Sequence, residues 1–159
     1  MFLRELLAAL SDASVPYAVV GGVAVNLHGV PRMTYDVDLV VTPTPDAFAR
    51  LQRALSAARL EPRLPLELAS LVSEEERRSL KRDRNLVALT FTDPEDPLRE
   101  VDILLDPDID AAGIVARAEL RPLGRETLRL CSRADLVALK RHAGRPQDLA
   151  DLAQLGEPT

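Results

Sequence analysis

At 159 residues and a formal net charge of −5, the chain has room for one hydrophobic core and is too acidic for broad, charge-driven wrapping of nucleic acid, although local patches override a total. Hydrophobic residues make up 47%, as in an ordinary globular protein. No apolar run approaches the roughly 20 residues that span a bilayer, so a soluble single domain over residues 1–159 without a membrane role is expected. One cysteine, Cys131, with His28 and His142, supplies neither an internal disulfide nor an ordinary structural zinc site, and a reducing cytoplasm is the simplest setting. Aromatics are only 3%, which leaves few platforms for stacking nucleobases.

Phe2 to Leu10 has helical apolar spacing interrupted by Arg4 and Glu5, and reads as an amphipathic helix rather than a signal peptide. Val15 to Val20 then predicts a short buried strand, stopped at Gly21-Gly22, where the backbone must turn tightly. Val23 to His28 follows as a short helix, whose free N–H groups at the glycine pair attract phosphate. The loop Gly29 to Tyr35 carries Arg32 toward the next strand, either as a surface arginine or as a phosphate contact, for which its planar fork of donors outperforms lysine.

Asp36-Val37-Asp38-Leu39-Val40-Val41 alternates acid with aliphatic and then becomes wholly apolar, as a strand does when one end emerges from a core. Residues two apart share a face, with Cα atoms roughly 6.5–7 Å apart. Asp36 and Asp38 can therefore converge on one or two metal ions, and such hard oxygen ligands suit Mg²⁺. Without a cation the two charges repel. A D-x-D string by itself also fits a solvent-facing edge strand.

Thr44, Pro45 and Asp46 mark a helix start, with Phe48, Leu51, Leu55 and Ala58 as its buried stripe. Residues 61–72 read as a connection with a short helix. Ser73 to Arg84 is a dense mixed-charge run without a useful apolar face, either a solvated loop or helix or an acceptor-binding flap using Arg77, Arg78, Lys81, Arg82 and Arg84. Leu86 to Phe91 and Leu98 to Leu105 predict a hairpin whose loop runs from Thr92 to Pro97. Asp102 stands in the second of these strands as it turns apolar, and burying it unpaired would be costly, so it needs a partner such as a cation. An exposed edge acid is the alternative.

Asp106 to Asp110 imitates a calcium loop, but Ala111 and Arg117 occupy positions that need glycine and glutamate, and calcium is rejected. Asp110 caps a helix to about Ala118 instead. Two short strands around Gly124 follow, and then a helix capped by Ser132. Lys140 lies one turn before that helix ends at Gly144, and Asp148 and Asp151 lie on the segment beyond it. No phosphate loop of the G-x-x-x-x-G-K-[ST] type, no dinucleotide fingerprint and no hydrolase elbow occurs.

Gly21, Gly22, Ala24, His28, Gly29, Arg32, Thr34, Asp36 and Asp38 together resemble the signature of the nucleotidyltransferase superfamily related to DNA polymerase β, in its AbiEii-like and small stand-alone bacterial branch. The string from Asp135 to Leu152 resembles the same branch, with its lysine helix, glycine break and acidic helix. The resemblance implies an α/β nucleotidyltransferase fold, a small mixed β-sheet flanked by helices. It implies a triphosphate held by Gly21 and Gly22, with Arg32, Thr34, Lys140 and Asp148 as further nucleotide-site residues. Asp148 would orient Lys140 or Arg145, and Asp151 is either a site residue or a surface acid. It further implies Asp36, Asp38 and Asp102 as catalytic ligands of two Mg²⁺ ions, with an NTP as co-substrate.

The expected reaction moves an NMP from an NTP to an acceptor hydroxyl. AbiEii-like relatives include toxins of toxin–antitoxin pairs that modify tRNA, so tRNA and an antitoxin are the expected partners. Antibiotic- or protein-modifying enzymes and a catalytically idle binding module are the alternatives. The chain lacks room for the helical acceptor domain of many antibiotic-modifying relatives.

Overall fold

The computed structural model describes residues 2–159. Helix α1 (Phe2–Asp12) forms on the predicted spacing and buries Leu6, Leu7 and Leu10. Strand β1 (Tyr17–Val20) is buried along its whole length. It starts one residue after Pro16, whose missing N–H cannot join a ladder. Helix α2 (Gly21–Leu27) begins where β1 ends, two residues earlier than the sequence indicated. Gly21 makes the turn itself, with φ +64°, a conformation that only glycine takes at little cost.

Strand β2 (Asp36–Val41) is half-exposed at Asp36 and Asp38 and buried at the other positions. Helix α3 (Pro45–Ala57) has Thr44 as its cap, the Oγ1 accepting the Ala47 N–H at 3.2 Å. It buries Ala47, Phe48, Leu51, Ala54 and Leu55 and packs on α1. The connection beyond it contains a two-residue strand, β3 (Glu61–Pro62), and a 3₁₀ turn (Leu68–Val72).

Residues 73–84 form the solvated helix among the expected alternatives, except at Arg77 and Leu80. Helix α4 (Glu74–Arg84) is capped by Ser73 and follows the 3₁₀ turn directly. Leu80 packs against the core, and Arg77 is buried, donating to the carbonyls of Leu71 and Val72 at 2.7 and 2.8 Å. Those carbonyls end a helical turn and have no partner within it. The arginine therefore serves as a C-cap from the following helix, a role that a charge count cannot distinguish from solvation.

Strands β4 (Ala88–Asp93) and β5 (Asp96–Leu104) form the expected hairpin, but the loop is only Pro94 and Glu95. Asp93 shortens it, for its Oδ1 accepts the Glu95 N–H at 2.9 Å, an aspartate turn of the kind that competes with a longer loop. Helix α5 (Ala111–Arg117), capped by Asp110, leads into the edge hairpin β6 (Glu119–Leu123) and β7 (Glu126–Leu130). Helix α6 (Arg133–Ala143) and helix α7 (Pro146–Gln154) complete the chain and pack on each other.

The strands make one seven-stranded mixed sheet in the order β3-β4-β5-β2-β1-β7-β6, larger than the small sheet expected. The parallel contacts are β2 with β5 and β1 with β7; the others are antiparallel. Phe48 and Phe91 are the largest fully buried side chains and, with Leu39, Leu89 and Ile103, belong to one continuous core. Truncating such a phenylalanine to alanine costs about 3–5 kcal/mol. The α/β sheet with helices from both ends of the chain is the predicted fold class.

Candidate active site

The parallel contact of β2 with β5 builds the centre of the site. Its register sets Asp36 beside Glu100 and Asp38 beside Asp102, and paired positions on neighbouring strands point to one face. Val37, Leu39, Val101 and Ile103 occupy the buried positions between. Asp36, Asp38 and Asp102 each offer a ligand oxygen, and these atoms lie within 4.8 Å of one another.

Two hydroxyls orient this triad from outside. Thr34 donates to Asp36 Oδ1 at 2.9 Å, and Thr90, opposite Asp102 on β4, donates to Asp102 Oδ1 at 2.5 Å. Burial, then the charges of Asp36 and Asp102, push the Asp38 carboxyl up to about 7, against the opposing pull of Lys140 and Arg145. An all-oxygen donor set held from behind, whose middle carboxyl is this reluctant to ionise alone, fits a hard divalent cation such as Mg²⁺.

The glycine pair lies directly over the acids. A Cβ on Gly21 would fall 1.9 Å from Asp38 Oδ2, and one on Gly22 would fall 2.6 Å from Thr34 Oγ1 and 3.3 Å from an Arg32 nitrogen. The α2 start is thus pressed against both Asp38 and the loop before β2. No side chain larger than hydrogen fits at either position without displacing a site residue.

Beyond the glycines stands a buried ionic hub. Lys140 is 5% exposed, and its Nζ lies 3.0 Å from Asp148 Oδ1 and 2.8 Å from Asp151 Oδ2. Asp148 also accepts from the Arg145 Nε at 2.8 Å, while its Oδ2 accepts the Arg145 backbone N–H and closes the start of α7. Burial raises the Asp148 pKa, but hydrogen bonds from Arg145 and Lys140 outweigh it and hold the carboxyl below its ordinary value. With Arg32, which pairs with Asp151, three cations surround the two carboxylates and leave the hub net positive beside the acid triad.

Asp151 is no surface acid. It is 1% exposed, and its Oδ2 also takes a 2.8 Å hydrogen bond from Arg32, while Gln147 donates to its Oδ1 at 2.9 Å. Arg32 is therefore no free surface arginine, since one of its guanidinium nitrogens is committed to Asp151. Its backbone N–H is held as well, by Asn26 Oδ1 at 2.6 Å. The recurrence of Asp148, Asp151 and Leu152 on one helical face was a legible signal for this burial; Asn26, Thr90 and Gln147 carried none.

Of the five cations named for a flap over residues 73–84, three are engaged within the fold. Arg77 is buried, Arg78 pairs with Asp108, and Lys81 pairs with Asp106 and Asp108 at 2.8 and 2.6 Å. These charges bind α4 to the loop after β5.

Three carboxylates on adjoining strands, with a glycine-started helix over them and a lysine hub behind, define a nucleotidyltransferase-type site. The family model described as nucleotidyl transferase AbiEii toxin, type IV TA system, matches residues 3–157, and the chain belongs to that family. No curated protein sequence matches it. Among the described residues no helix is long and apolar enough to cross a membrane.

Proposed function

We propose that this protein transfers an NMP from an NTP to a hydroxyl of an RNA acceptor, with tRNA as the substrate class, and that an antitoxin restrains it. The observation that supports catalysis most directly is the mutual approach of the Asp36, Asp38 and Asp102 ligand atoms on the two parallel strands. Asp36, Asp38 and Asp102 would hold Mg²⁺, which when bound neutralises charge on the reacting phosphate and its leaving group.

The chain's own residues supply the rest. The Gly21 and Gly22 backbone allows close approach of the phosphates at the α2 start. Lys140 donates a hydrogen bond to Asp148 and forms an ion pair with Asp151, and a remaining N–H donor would meet a phosphate oxygen. Asp148 and Asp151 fix where that donor points, and Arg32 and Thr34 hold the loop that carries Asp36.

In the transfer, the acceptor oxygen forms a bond to the α-phosphorus as the bond to the β-phosphate oxygen breaks. Pyrophosphate leaves with that electron pair, and the acceptor proton passes to Asp102. The net-positive hub stabilises the charge that develops on the leaving group.

The test uses α-labelled NTPs with total cellular RNA, and separately with a protein extract, as acceptors. Label should enter RNA with wild type and fall by roughly 10²-fold or more with Asp102→Asn, while NTP affinity is largely kept. Label in protein instead would move the acceptor class. An NTP bound tightly with no label in any acceptor would make the chain a binding module.

A further inference from the structure

Tyr35 is the one exposed aromatic side chain among the described residues, the others being buried or partly covered. It precedes Asp36 in the chain, and its hydroxyl donates to Met33 Sδ at 2.9 Å. Arg32 and Thr34 turn inward to Asp151 and Asp36, while Met33 and Tyr35 stand out at 77% and 73% exposure. Met33 and Tyr35 therefore precede β2 at the end that also carries Asp36.

A patch of two side chains, Met33 and Tyr35, is far smaller than the roughly 1,000 Å² a specific protein interface needs. It suits an occupant with one flat apolar face. Arg63, paired with Glu100 at 2.6 Å, and Arg145, whose charge acts on Asp36 and Asp38, stand about the triad with more than half of each side chain exposed. Such arginines complement a phosphodiester on either side of a base. The overall charge of −5 opposes long-range backbone binding, which makes a short, local grip the only one this surface offers.

We propose that Tyr35, with Met33 against its hydroxyl, is the stacking platform for the terminal unpaired base of the RNA acceptor, setting the acceptor's hydroxyl at the carboxylate triad. Stacking on an aromatic face tolerates any base, so Tyr35 is a positioning residue for the end of a strand and does not read its sequence. The proposal rests on the transferase reading for its purpose, but not for its test.

A short single-stranded RNA carrying 2-aminopurine at its 3′ end is titrated with the full chain without nucleotide. Fluorescence should be quenched on binding; Tyr35→Ala should remove most of the quench and weaken binding about tenfold or more. Tyr35→Phe, which keeps the ring, should retain both. MgATP affinity should be the same in all three proteins. The proposal is overturned if wild type neither binds nor quenches the RNA, if Tyr35→Ala behaves as wild type, or if the loss appears in MgATP affinity instead. Because no transfer occurs in the titration, failure of the labelling assay with intact quenching would sink the transferase reading alone.

Discussion

Arg32 and Asp151 stand 119 residues apart in the chain, and their side chains meet at 2.8 Å inside the site. Through that contact the last helix holds the loop that delivers Asp36. Asp151 also lies 2.8 Å from the buried Lys140, so one carboxylate balances two cations from two different elements.

Removing Asp151 would leave Lys140 buried with only Asp148 as counter-ion, shared with Arg145. Breaking a buried pair from one side costs about 3–5 kcal/mol, because the remaining charge is uncompensated. Asp151→Ala should lose stability of that order in urea denaturation. Substituting Gln147, an exposed residue that donates one hydrogen bond to Asp151, should lose far less.

The two glycines with positive φ on either side of α2 should respond differently to alanine. At Gly21 the new methyl would collide with Asp38 as well as take up φ +64°. Gly29 has φ +99° but open space where a Cβ would stand. Gly29→Ala should cost about 1–2 kcal/mol of stability and leave MgATP binding intact. Gly21→Ala should abolish MgATP binding, which calorimetric titration of both variants would read.

Thr90 touches the chemistry only through Asp102. Thr90→Val keeps the shape and removes the 2.5 Å hydrogen bond. Losing an outer partner of a metal-binding carboxylate typically weakens metal affinity 10–100-fold. Mn²⁺ binding to the variant, followed by electron paramagnetic resonance, should weaken within that range, and circular dichroism should show an unchanged fold.

Acid should expose the hub. Asp148 has a folded pKa below its ordinary 3.8, so the folded state binds fewer protons than the unfolded state between the two values. Its contribution is complete above about 3.8 and is lost as pH falls through the lower folded value. Asp148→Asn should therefore be less stable than wild type near neutrality, and the gap in urea midpoints should close as pH drops below about 4. A gap that stays constant down to the acid transition would show that the hydrogen bonds, and not the charge, make the contribution.

Arg77 should matter to the fold alone. Its guanidinium satisfies the Leu71 and Val72 carbonyls, and leaving buried acceptors unpaired costs about 1–3 kcal/mol. Arg77→Met should lower the melting temperature with unchanged MgATP affinity, whereas Arg82→Ala, on the exposed side of α4, should change neither.

What the sequence alone determined is what acts over a few residues. The D-x-D spacing put Asp36 and Asp38 on one strand face, Thr44 and Ser132 marked helix starts through their own hydroxyls, and the Gly21-Gly22 pair marked the turn at the end of β1. Each follows from backbone geometry and near-neighbour hydrogen bonds, so the residues themselves suffice. The partners came only with the tertiary structure: Thr90 behind Asp102, Asp151 between Arg32 and Lys140, Arg77 beneath the 3₁₀ turn, and Lys81 committed to Asp106 and Asp108. A charged side chain has the same local signature whether it meets water or a carboxylate brought from a hundred residues away; only the register of β2 on β5 and the packing of α7 on α6 decide which it meets.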